Sequence, residues 1–144
     1  MPDWSIVLDA QALNKLMAQE FTGKDSAPGP VVSVEPGRIS VVAPYSPGML
    51  RPGELIAGPV MMSLADTAAY SLILAHVGPE LMAVTSALNI NFLRGARKGD
   101  VHADAQLLTL GRRNAVCDVR IWTESPDRPA AQATVTYARA RAEA

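Results

Sequence analysis

Cysteine is almost missing from this chain. Cys117 stands alone among 144 residues, so no disulfide can form within it, and the reducing cytoplasm is the expected compartment. Histidine is nearly as scarce. His76 and His102 share no metal-ligand spacing with Cys117, which excludes a zinc-finger type of site. Charge of one sign is lacking too. The formal net charge is -1 and charged residues make up 19%, so neither nucleic acid nor an acidic membrane surface finds an electrostatic counterpart. Long hydrophobic runs are absent. The longest uncharged stretches, Thr67 to Pro79 and Leu81 to Leu93, hold 13 residues each, whereas a spanning helix takes roughly 20. The N-terminus carries Asp3 and Asp9 and no basic region ahead of an apolar one. It reads as part of the mature fold, not as a signal peptide.

What is present is a core. Hydrophobic residues make up 49% of the chain, which excludes intrinsic disorder and suits one domain over residues 1–144. Residues 5 to 21 place Ile6, Leu8, Leu13, Leu16, Met17 and Phe21 at three- and four-residue steps, a helical pattern that Asp9 would cap and Gly23 would close. After a short loop from Thr22 to Pro30, Val31 to Ser46 reads as a hairpin turning at Glu35-Pro36-Gly37-Arg38. A rigid loop with Pro44, Pro47, Gly48, Pro52 and Gly53 follows.

From Pro59 to Val77 the chain is apolar on almost every helical face, the mark of a buried helix. Gly58 suits its cap, Pro59 its first position, and Gly78-Pro79 its stop. Ala65, Ala68 and Ala69 would let neighbours approach its backbone closely. Four strand-like runs complete the chain, at 84–93, 101–110, 115–122 and 131–139, and short connections between them predict an antiparallel meander. The expected architecture is α+β: a curled six-stranded antiparallel sheet around one long buried helix, with an N-terminal helix.

Asp66 is the one charged residue between Pro59 and Val77. An isolated carboxylate is costly to bury, and Asp66 sits beyond the first turn, where the helix dipole would help it. Ser63, Asp66, Thr67 and Tyr70 form a narrow polar stripe at helical spacing. Two readings stand side by side: a structural aspartate satisfied by hydroxyls or an arginine, and a general base or nucleophile on the floor of a cleft. Gly58 likewise starts a helix in one reading and offers a backbone N–H to an oxyanion in the other. Arg94, Arg97 and Lys98 gather in one turn, Arg112 and Arg113 in another. They are solvated surface or phosphate contacts. His76 reads as a capping or surface residue, His102 as a solvated strand residue and Cys117 as core.

The run from Ile56 through Gly58-Pro59 to Leu64-Ala65-Asp66-Thr67 resembles the helix of hotdog-fold acyl-CoA thioesterases, nearest their phenylacetate-degradation (PaaI-like) branch. That branch carries His-Gly-Gly, a few apolar residues and Leu-Ala-Asp. Ala83 to Arg94 resembles the strand that follows, and Gly111-Arg112-Arg113 a later turn. The resemblance implies that Asp66 is the catalytic carboxylate, that the Gly58 N–H polarises the thioester carbonyl, and that Thr85 positions the attacking water. It calls for no cofactor and no metal. Arg94, Arg97, Lys98, Arg112 and Arg113 would then reach coenzyme A phosphates. Three departures stand out. Ala57 replaces the family histidine, Pro59 replaces the second glycine, and Leu50, Arg51 and Pro52 offer no asparagine as a second carbonyl donor.

The expected function is therefore an acyl-CoA thioester hydrolase. A non-catalytic acyl-ligand-binding module and an acyl-CoA hydratase or dehydratase are the alternatives, the latter disfavoured because His76 lies ten residues from Asp66. Gly58 and Asp66 are eight residues apart, about 12 Å along a helix, too far to serve one carbonyl. If both act on it, each site takes one residue from each subunit of a symmetric homodimer, with a homotetramer as a pair of such dimers.

Overall fold

The computed structural model describes residues 4–21 and 30–139. Helix α1 (Ala10–Glu20) leads to β1 (Val31–Glu35) and β2 (Arg38–Ala43), then to a loop holding the short pair β3 (Leu50–Arg51) and β4 (Leu55–Ile56). Helix α2 (Gly58–Val77) follows, and then strands β5 (Val84–Phe92), β6 (Val101–Leu110), β7 (Asn114–Trp122) and β8 (Ala131–Ala138). The six long strands form one antiparallel sheet in the order β1-β2-β6-β7-β8-β5, and α2 packs against all of them.

Small residues make that wrapping possible. Ala103, Ala105, Ala115, Ala131 and Ala133 on the sheet are fully or almost fully buried, as are Ala65, Ala68, Ala69 and Ala75 on α2. With methyl groups on both sides, helix and sheet approach closely, and Leu72, Ile73, Leu74, Val119, Ile121 and Val135 fill the remaining space. Cys117 lies in this core as expected, and burial pushes its thiol up to about 12. By length and composition α2 could cross a membrane, yet it is the core helix of this fold.

Several sequence expectations need correction. The strands are not a simple meander, because β5 pairs with β8 at the sheet edge, not with β6. The eight residues 93–100 can span roughly 26 Å, enough to pass the ends of β8 and β7. Only the tight 111–113 turn forces its strands to be neighbours. The N-terminal helix is shorter than its apolar pattern. Val7 and Leu8 give their N–H groups to Ala75 O at 2.7 and 3.0 Å, and the Asp9 side chain accepts from Ala12 N at 2.9 Å, so the helix starts after Asp9. It stops at Phe21; Gly23 and most of the loop expected from Thr22 lie outside the described residues. At α2 the cap is Ala57, and Gly58 is already the first helical residue. Finally, α2 is enclosed all round only in its second half, while Pro59, Met62 and Ser63 leave an open face near its start.

His76 is neither a surface nor a capping residue. It is buried, its Nε2 accepts from Gly37 N–H at 2.9 Å, and its Nδ1 lies 2.9 Å from Leu72 O. The ring is therefore neutral with its proton on Nδ1. It ties the β1–β2 turn, where Gly37 has φ +75° against the Trp4 ring, to the end of α2. His102 sits on the sheet and stacks on Trp122 with centroids 5.6 Å apart.

Candidate active site

Asp66 lies in the third turn of α2, half-buried at the wall of a cleft of about 370 Å³. Two hydroxyls hold its carboxylate. Thr85 Oγ1 donates to Oδ1 at 2.6 Å, and the Tyr137 phenol donates to the same Oδ1 at 2.7 Å. Among the described residues no donor reaches Oδ2. The carboxylate is thus pinned by one oxygen while the other is available for chemistry.

Thr85 arrives there through a break in strand alternation. Thr85 pairs with Tyr137, but the next register pair is Ala87 with Thr136, so Ser86 forms a β-bulge. On β8, Tyr137, Val135, Ala133 and Ala131 are buried against α2, while the residues between them are not. Ahead of the bulge Thr85 falls on the core side with Tyr137. After it, Asn89 and Asn91 pair with Thr134 and Gln132 on the outer side. Plain two-residue alternation would put Thr85, Asn89 and Asn91 on one face, but the extra residue at the bulge reverses the alternation. Asn91 instead donates to Gln132 Oε1 at 3.2 Å.

Tyr137 is the member that sequence reasoning missed. It lies 71 residues from Asp66, and an aromatic residue near the end of a strand carries no local signal of what it touches. Burial, then its bond to Asp66, pushes its phenol far above the ordinary range, against an opposing contribution from Thr85. It therefore remains a proton donor toward Asp66. Tyr70 sits beside it with ring centroids 5.7 Å apart and donates its hydroxyl to Leu81 O at 2.9 Å. Of the polar stripe, Asp66, Thr67 and Tyr70 line the cleft, whereas Ser63 is exposed elsewhere.

Gly58 lies by the other end of β5 from Thr85, beside Phe92. It starts α2, where its N–H has no partner within the helix, and the Phe92 ring at the far end of β5 packs against it. A methyl group at residue 58 would come within 3.2 Å of that ring. Helix geometry puts Gly58 about 12 Å from Asp66, so one chain does not bring the two together.

The basic residues separate in the same way. Arg94, Arg97 and Lys98 follow β5 at the Gly58 end, where Ile56 N bonds Ala96 O at 2.8 Å. Arg94 reaches Pro129 O at 2.9 Å, Arg97 pairs with Glu124 at 3.4 Å and Lys98 with Glu54 at 3.5 Å. Arg128, which the sequence did not single out, joins Arg94 and Arg97 around a cleft of about 330 Å³. Arg112 and Arg113 stand in the exposed β6–β7 turn at the other end of β6, roughly 30 Å away along that strand. Among the described residues no three His, Cys, Asp or Glu side chains gather as a metal site.

Comparison with curated proteins gives no match. Among solved structures, a putative thioesterase from Silicibacter sp. shares 32% identity over 96% of both chains, with a TM-score of 0.86. The Escherichia coli PaaI protein from the phenylacetic acid degradation operon shares 28% identity over 77% of this chain and 78% of its own, with a TM-score of 0.67. A Bacillus halodurans protein crystallised with CoA shares the fold, at 24% identity over 78% of this chain and 74% of its own, with a TM-score of 0.68. The profile of the thioesterase superfamily matches residues 53–130, from the loop before α2 to the start of β8. Taken with the helix-wrapping sheet, that match places this chain in the thioesterase superfamily, with the hotdog fold.

Proposed function

We propose that this protein hydrolyses acyl-CoA thioesters, with Asp66 as general base. The observation that carries the reading is the Asp66 carboxylate held through Oδ1 by Thr85 and Tyr137 beside an open cleft, in a chain of the thioesterase superfamily. Asp66 Oδ2 takes a proton from water as its oxygen attacks the thioester carbonyl. The tetrahedral oxyanion is held by a backbone N–H, the C–S bond then breaks, and the leaving thiolate takes the proton back. The products are a carboxylic acid and free coenzyme A. A positioned general base contributes about 10²–10⁴-fold, and one oxyanion donor about 3–4 kcal/mol.

The oxyanion donor in this reading is Gly58 of a second copy. Exposed apolar side chains support a homodimer: Met62 beside the start of α2, Val84 and Phe92 on β5, and Leu93 just after it. Strand β5 is also an unpaired sheet edge nine residues long, which isolated proteins seldom leave bare. Since Thr85 and Phe92 lie near opposite ends of β5, a two-fold axis across it would set one copy's Asp66 end against the other's Gly58 end. The partner's Arg94, Arg97 and Lys98 would arrive with that Gly58, which favours them over Arg112 and Arg113 as contacts for the coenzyme's phosphates. The CoA bound to the Bacillus halodurans protein is a reason to try CoA thioesters first. The chain's one thiol, buried and unreactive, suits a cytoplasmic setting, and two dimers could pair as a tetramer.

The test is steady-state release of thiol from acyl-CoA substrates by the wild type and by Asp66→Asn. Turnover lost in the variant supports the reading. Tight binding without turnover by the wild type would make the protein an acyl-ligand-binding module.

A further inference from the structure

The Asp66 cleft has a far wall that the catalytic reading does not use. Met17 on α1 and Phe21 at its end supply it, and Tyr70 and Leu81 complete the surface next to Tyr137. The Phe21 ring stands edge-on to Tyr70, with centroids 6.1 Å apart and planes at 87°. Tyr70 in turn leans on Tyr137. Both phenol hydroxyls are spent, one on Leu81 O and one on Asp66, so what the tyrosines offer a ligand is ring surface. At about 370 Å³ the cleft falls near the lower end of the roughly 300–1,000 Å³ typical of small-molecule sites.

The wall is also fastened. Asn14 clamps α1 to β1 by two bonds, accepting from Val31 N at 2.8 Å and donating to Val31 O at 3.0 Å. Leu13 is fully buried, Asp9 caps the helix start, and Val7 and Leu8 bond to Ala75 O. Moving Met17 and Phe21 aside would mean breaking these contacts together. Helix α1 lies outside the residues matched by the superfamily profile, so Met17 and Phe21 come from a part of the chain that the match does not cover.

We infer that Met17 and Phe21 set the size limit of the acyl group, admitting short chains and single rings and rejecting long chains. The inference rests on the thioesterase reading of the same cleft and adds its substrate class. The carbonyl lies at Asp66, and the acyl group points toward α1. A short chain or one ring fills the aromatic box, and ring edges meet the faces of Tyr70 and Phe21 favourably. A long chain ends against Met17 and Phe21.

The experiment measures kcat/KM for acetyl-, hexanoyl-, benzoyl-, decanoyl- and palmitoyl-CoA, and in parallel their Kd for the Asp66→Asn protein. Wild type should handle hexanoyl- and benzoyl-CoA about tenfold or more better than palmitoyl-CoA, a discrimination within reach of an apolar pocket. Phe21→Ala should raise the palmitoyl-to-hexanoyl ratio about tenfold. Phe21→Trp adds bulk at a partly exposed position and should lower it, so the inference stays testable if the alanine variant folds poorly. A ratio that stays put in the folded variants, or a wild type that prefers palmitoyl-CoA, overturns the inference while leaving hydrolysis intact. If no thioester is cleaved but the Kd values follow the expected size order, hydrolysis fails and the size limit stands.

Discussion

Replacing Asp66 separates chemistry from stability, because the structure specifies what each substitute leaves behind. Asparagine keeps the volume and an amide oxygen that can accept from both Thr85 and Tyr137, which now lie 2.6 and 2.7 Å from Oδ1. Two charge-assisted bonds of about 1.5–3 kcal/mol each become neutral ones of about 0.5–1.5. The loss is about 2 kcal/mol before counting the relief of no longer desolvating a carboxylate, which opposes it. Alanine removes the carboxylate acceptor. Tyr137 is only 4% exposed, and its hydroxyl would keep just the residue-66 backbone carbonyl, 3.3 Å away, while Thr85 would lose its acceptor, at a cost of about 1–3 kcal/mol. Asp66→Ala should therefore unfold at lower denaturant than Asp66→Asn. Their activities should fall together, because neither can take a proton from water. The expected drop in kcat is about 10²–10⁴-fold, or about 3–5 kcal/mol of barrier. Thiol release under saturating acyl-CoA measures the first quantity, and urea titration followed by tryptophan fluorescence the second. Asp66→Asn with kcat within about threefold of wild type would refute the base assignment, since a factor that small is under 1 kcal/mol.

Other outcomes follow from the same contacts. Co-expression of Asp66→Asn and Gly58→Pro subunits should restore activity in mixed dimers, because one of the two sites then carries neither defect. The backbone at residue 58 admits proline because Ala57 is extended, with φ -67° and ψ 143°, and the Phe92 ring has to shift slightly for its Cβ; mixed dimers as inactive as both parents would rule out shared sites. Changing Arg97 and Lys98 to glutamine should raise KM for acyl-CoA about tenfold and leave a thioester lacking the nucleotide unaffected. Equal effects on both substrates would remove these side chains from phosphate binding. Ser71 is buried in α2 and its Oγ has no partner among the described residues, so Ser71→Ala should gain about 1 kcal/mol of stability, read as a higher urea midpoint; a lower midpoint would mean that the hydroxyl is satisfied.

The sequence by itself determined the elements and the key carboxylate. Strong periodicity, glycine and proline punctuation and the alanine-rich helix were enough to place α2 and five of the long strands to within about a residue, because those signals are local in the chain. Asp66 stood out because a charge inside so apolar a helix needs a partner wherever the helix ends up. The partner was not legible. Thr85 reaches Asp66 because β5 pairs with β8 and a bulge at Ser86 reverses the strand's facing, and Tyr137 because β8 packs against α2. Strand order depends on which edge is left after α2 has crossed the sheet, and the 93–100 link is long enough to permit several answers. Tertiary structure also decided that His76 clamps a turn and that Phe21 and Met17 wall the cleft. The two basic turns, alike in sequence, were separated to opposite ends by the length of β6. Each of these is a contact between residues far apart in the chain, fixed by packing the whole sheet around one helix and by no pattern within a window of sequence.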